Sequence, residues 1–160
     1  MRTTGQWLAE YKESHQNETN KLIHWICVPL IMSSLPGLLW SIPVFGLQNL
    51  FPESIGFFVN WGTLFLILAL MFYLRLSFVM FLGMLLIATL MIAGIYFLQD
   101  KVALPLWISP LVVFAGAWIG QFSGHRIKGK KPSFLKDLQF LLIGPAWLLS
   151  FMYKKFDISY

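Results

Sequence analysis

Acidic residues are scarce in this chain: seven Asp and Glu stand against twelve Lys and Arg in 160 residues. Charge of both signs together makes up 12%, and 58% of the residues are hydrophobic. A soluble domain carries roughly 25% charged residues, so this chain lacks the polar surface to cover itself in water. Its mean hydropathy of +0.69 points the same way. The expected solvent is a bilayer, and the net charge of +5 reads as membrane topology, not as affinity for nucleic acid. The single cysteine, Cys27, excludes an internal disulfide and a multi-cysteine zinc site. In its apolar run it reads as a small buried hydrophobe. The polar start "MRTTGQWLAEYKESHQ" has no apolar stretch of the signal-peptide kind. No repeat, low-complexity tract or linker divides the chain, so one integral membrane domain over 1–160 is expected.

What is present is apolar runs separated by short polar junctions. Residues 3–16 can form an amphipathic helix on the membrane surface, with Trp7, Leu8 and Tyr11 on one face. "NETN" (17–20) should interrupt it, because Asn and Thr favour caps and turns. Runs at about 22–42, 55–74, 76–98 and 102–122 are each suited to cross an apolar layer about 30 Å thick. Arg75 marks the expected turn between the second and third, and "QDK" (99–101) a tight return. The last apolar stretch, 138–153, is short and interrupted by Gly144–Pro145, so it should be re-entrant or interfacial. The fold class expected is an all-α membrane protein of four transmembrane helices, with an N-terminal amphipathic helix and a short re-entrant or interfacial C-terminal segment. Four spans put nearly every Lys and Arg, and both ends of the chain, on the cytoplasmic side. A bacterial inner membrane, or the endoplasmic reticulum in a eukaryote, is the expected location. Oligomeric state is not legible.

Histidine is the other scarcity. There are three, and the topology gathers them at one leaflet boundary: His15 in the surface helix, His24 at the start of the first span and His125 at the end of the fourth. In one unbroken helix His15 and His24, nine residues apart, would lie about half a turn out of phase. A turn at 17–20 lets them meet. Three imidazoles can hold a divalent metal and leave positions open, and imidazole suits iron, zinc and copper alike. A haem on two of them is a further possibility. The plainer reading is three amphipathic rings at headgroup depth. Asn17, Asn20 and Gln121 stand close by in sequence, as orienting groups, substrate contacts or ordinary caps. Gln121 and His125 are four apart and share a face. Arg126 and Lys128, in a basic run with Lys130 and Lys131, read either as an anchor on anionic lipid or as partners of an acyl carboxylate. Trp7, Trp25, Trp118 and Trp147 read as interface-belt residues.

These residues carry a resemblance. Tyr11, His15, Asn17, Asn20, Leu22, Ile23, His24, Val28 and Pro29 form one motif. Trp118, Ile119, Gln121, Phe122, Gly124, His125 and Pro132 form a second, with a weaker echo at Pro145. In spacing and order the chain resembles the membrane-embedded 2-hydroxy fatty acid dioxygenases, over nearly its whole length. The resemblance implies Fe²⁺ held by His15, His24 and His125, and oxidation of a long-chain 2-hydroxy fatty acid by O₂ to an acid one carbon shorter, with membrane lipids around it. The chain departs from the pattern in several places, and it has none of the mid-chain histidines that some relatives carry. The loop "RIKGKKP" has no acidic residue, and Phe151 stands about where the last segment of relatives carries an acid. Two other classes fit the same features: a non-catalytic membrane protein that binds lipid or a partner helix, and a zinc-dependent membrane hydrolase.

Overall fold

The computed structural model describes residues 6, 18–101, 104–127 and 141–159, and of 124–127 the backbone alone. His15, Asn17, Lys128 and the expected surface helix lie outside the described residues, as do the side chains of His125 and Arg126. Among the described residues the regular elements are helices, with no strand: α1 (Glu18–Trp40), a 3₁₀ turn (Leu47–Leu50), α2 (Glu53–Gly56), α3 (Trp61–Leu76), α4 (Phe78–Lys101), α5 (Ile108–Ile127) and α6 (Ile143–Lys155).

Local chemistry sets the boundaries, and several differ from expectation. Thr19 and Asn20, with Glu18, form the first turn of α1 and not a break before it, and Glu18 suits the positive end of the helix dipole. Pro29 and Pro36 stay inside α1. Between them, the hydroxyls of Ser33 and Ser34 both donate to the Leu30 carbonyl. Asn60 caps α3 by accepting from the Thr63 amide at 2.9 Å. The turn expected at Arg75 comes at Ser77, whose extended backbone separates α3 from α4 and whose Oγ accepts from the Val79 amide. "QDK" is no return loop: it completes the last turn of α4. Gly144–Pro145 does not break α6 either. It occupies the first turn, where the missing proline N–H costs nothing.

The register of α1 against α5 can be read from two close approaches. A Cβ placed on Gly120 would lie 2.9 Å from Cys27 Sγ, and one on Gly37 would lie 2.8 Å from Pro110 Cγ. Ten residues forward on α1 thus match ten back on α5, so the pair is antiparallel. Glycine at both contacts lets the backbones close up, which is how helices associate in a solvent as apolar as themselves. Cys27 and Ile31 meet Ala117 and Trp118 in the core between them. At the far end of α1, Gly62 of α3 sits under the Pro36 carbonyl and the Trp40 ring. α3 then runs back to the end where α1 began, and α4 returns beside it.

α6 joins the two pairs. Ile143 to Ser150 are eight successive buried residues, as expected of a helix covered on every side. Ala146 and Leu149 pack with Ala69, Tyr73, Met80 and Met84 of α3 and α4. Ile143, Trp147 and Leu148 pack with Val28 of α1. Two tyrosines tie it down: Tyr73 Oη donates to the Leu142 carbonyl at 2.7 Å, and Tyr153 Oη to the Val79 carbonyl at 2.8 Å. Burial pushes the Tyr153 hydroxyl up from its ordinary pKa, and the backbone at Gly83 pulls it partly back.

α1 and α4 are each long and apolar enough to cross a membrane. α3, at 16 residues, is a shorter apolar helix. The outward faces are apolar too, with Leu64, Leu68, Leu82, Leu86 and Ile119 exposed. A single soluble domain rarely exposes so much contiguous hydrocarbon.

Candidate metal and substrate site

The start of α1 carries an unusual density of buried polar groups. Asn20 is 0% exposed, His24 1% and, across from them on α5, Gln121 6%. On α1, residues 20, 24, 27 and 31 recur at helical spacing along one stripe, and this stripe faces α5. Continuing the antiparallel register for three residues beyond Cys27 and Gly120 brings His24 level with Ser123. Gln121 comes level with Ile26. The backbone of position 125, which α5 extends to include, comes level with Leu22, between Asn20 and His24. The register therefore places positions 24 and 125 within about 3 Å of one another along the bundle axis.

The His24 ring is oriented. Its Nδ1 lies 2.8 Å from the backbone carbonyl of Asn20. The carbonyl can only accept, so Nδ1 carries the proton and the neutral ring has its lone pair on Nε2. A metal-binding histidine is held in this way, with one nitrogen tied to an acceptor and the other left as the base. Gln121 differs: its Oε1 is buried and meets no hydrogen-bond donor among the described residues. His24 is the one histidine whose side chain is described, and no group of three or more His, Cys, Asp or Glu occurs among the described residues. Of the expected donor set the structure describes one side chain, the buried His24 imidazole, and its tautomer is the one a histidine ligand uses.

Phe151 is half-buried beside α1, its ring 5.5 Å from that of Trp25 and 4.8 Å from that of Trp147. Lys21 Nζ stands 5.0 Å above its face. Where the resemblance places an acid, this chain offers the lysine an aromatic quadrupole. Trp118 and Trp147 are not belt residues. They are buried at 9% and 3%, Trp118 between α1 and α5 and Trp147 within α6. Tryptophan suits both a headgroup layer and a helix contact, and residue type alone does not separate the two. Cys27 is buried in the α1–α5 contact, as its apolar run suggested.

The family described as "2-hydroxy-palmitic acid dioxygenase Mpo1-like" matches residues 1–156. The chain belongs to the Mpo1-like family. Neither the curated proteins nor the solved structures gave a match. Membership gives this Mpo1-like chain a dioxygenase name and a 2-hydroxy fatty acid as the substrate class that name implies. The match covers both histidine junctions, His15 to His24 and His125, so the residues singled out in the sequence all lie within the family region.

Proposed function

We propose that this Mpo1-like protein oxidises long-chain 2-hydroxy fatty acids with O₂ at the cytoplasmic face of a membrane, using Fe²⁺ held by His15, His24 and His125. The observation that carries the reading is the buried His24, whose Nδ1 lies on the Asn20 carbonyl, which sets the tautomer of the ring. Family membership supplies the reaction class. The iron, when bound, supplies the redox centre that O₂ needs to react with a closed-shell acid. The chain's own residues do the rest. Gln121 Oε1, buried and short of a donor, accepts from the substrate's 2-hydroxyl. Arg126 and Lys128 pair with its carboxylate, and the amides of Asn17 and Asn20 hold the imidazoles in place. The reaction closes without an external reductant. A 2-hydroxy acid and O₂ become the acid one carbon shorter, CO₂ and water, with the two oxidised carbons giving the four electrons that O₂ takes.

In this reading α1, α3, α4 and α5 all cross the bilayer and α6 does not. Lys21, Arg75, Lys154 and Lys155 then fall at the His24 end, which becomes the cytoplasmic one. Lys101, paired with its neighbour Asp100 at 2.7 Å, falls at the other. Metal analysis of anaerobically purified protein tests the site. About one iron per chain is expected, lost with turnover of 2-hydroxypalmitate in His24→Ala. Zinc in its place would favour a hydrolase, and no metal even after reconstitution with Fe²⁺ would favour a lipid-binding protein.

A further inference from the structure

Below the polar cluster, α1, α4, α5 and α6 line a partly open cavity of about 650 Å³, within the range of about 300–1,000 Å³ usual for small-molecule sites. Its walls are almost wholly hydrocarbon. It begins at Pro29, Met84 and Leu149, little more than one helical turn beyond His24, and ends at Gly94, Leu98 and Pro110. Along α4 the lining residues run from Met84 to Leu98, a rise of about 21 Å. An extended chain advances about 1.2 Å per bond. From the level of His24 to that of Gly37, which also lines the cavity, is about 20 Å of helix, or about sixteen bonds.

We infer that this cavity holds the substrate's acyl tail, and that Gly94 sets the length of chain it accepts. The inference rests on the proposed reaction for the identity of the head group. The occupant is a single saturated chain, for three reasons. The polar lining residues are Ser33, Ser34 and Ser109, and the hydroxyls of Ser33 and Ser34 donate to the Leu30 carbonyl; the span from His24 to Gly37 matches about sixteen bonds; and the cavity's near end at Pro29 lies little more than one turn from His24, the one histidine whose side chain is described. Gly94 is the point of control because a Cβ there meets nothing within 4 Å. Gly94 is exposed and lines the far end of the cavity, so a large side chain there has room to reach into that end, and replacing a helical glycine does not weaken α4. Gly116 is the matched control. Its Cβ would also meet nothing and it is exposed as Gly94 is, but it does not line the cavity.

The test compares wild type, Gly94→Phe and Gly116→Phe, each as the full iron-loaded chain, on saturated 2-hydroxy acids of ten to eighteen carbons. In Gly94→Phe, kcat/KM for the sixteen-carbon acid should fall at least ten-fold while that for the twelve-carbon acid stays within two-fold. Gly116→Phe should match wild type. A palmitic acid carrying a diazirine at its methyl end gives a readout that needs no turnover. It should label the peptides around Gly94 and Pro110 in wild type, and not in Gly94→Phe. An unchanged length profile in Gly94→Phe, or label confined to outward residues such as Leu82 and Leu86, would overturn the inference. Wild type inert towards every 2-hydroxy acid yet labelled around Gly94 would refute the proposed reaction and leave the acyl cavity standing.

Discussion

A buried carbonyl oxygen with no donor costs about 1–3 kcal/mol, and Gln121 Oε1 meets no donor among the described residues. That cost has a purpose if the oxygen meets a hydroxyl only when substrate is bound. Gln121→Leu keeps the volume and removes the orphan oxygen. The expected result is an unchanged or slightly higher Tm, together with a KM for 2-hydroxypalmitate raised about two- to ten-fold, the worth of one neutral hydrogen bond. A fall in Tm with KM unchanged would show that the oxygen serves the fold and not the substrate. Gln121 and His24 were legible as candidates because polar residues are so few that each invites an explanation. The tautomer of His24 was not legible. It depends on a carbonyl one turn back coming within 2.8 Å of the ring, and rotamer and burial decide that. Nor was Trp118, since a tryptophan near a helix end reads the same whether it faces lipid or a neighbouring helix.

Among the elements, α6 shows how a short apolar segment finds its place. At 13 residues it is too short to cross, yet it is the most continuously buried helix described. Its glycine and proline suggested an interruption, but a proline in the first turn removes an N–H that has no helical partner anyway. The tie from Tyr73 to the Leu142 carbonyl holds the start of α6 against the α3–α4 pair. Tyr73→Phe keeps the ring and removes that hydrogen bond, which should cost about 0.5–1.5 kcal/mol. Hydrogen exchange should then quicken in α6 more than in α1, and a uniform change across all helices would argue against a local tie. The helices themselves could be read from the sequence to within about two turns, because hydropathy and length are local properties. Their ends could not, because Ser77, Asn60 and Gly144–Pro145 act through backbone bonds that depend on where the next helix goes.

For the whole molecule, four crossings would put both ends of the described bundle's odd charges in order: Lys21, Arg75, Lys154 and Lys155 on one side, Lys101 on the other. Single-cysteine labelling in a Cys27→Ala background tests this. Leu50→Cys, in the exposed 3₁₀ turn, should react with an impermeant maleimide added outside intact cells, and Lys155→Cys only after the membrane is opened. Labelling of both from the same side would remove the four-crossing arrangement.

By itself the sequence determined the helical class and carried the expectations of an apolar solvent and of histidine junctions at one end, since these follow from composition, run length and the placing of a few charges. The tertiary structure alone decided which faces meet: α1 against α5 through Gly37 and Gly120, α6 wedged between the two pairs, and an apolar cavity left where four helices fail to close. The reason is physical. These helices are hydrophobic all round, so no polar face marks their outside. In a bilayer, burial does not sort one apolar face from another. Close approach and shape do, and they exist only once the backbones are in place.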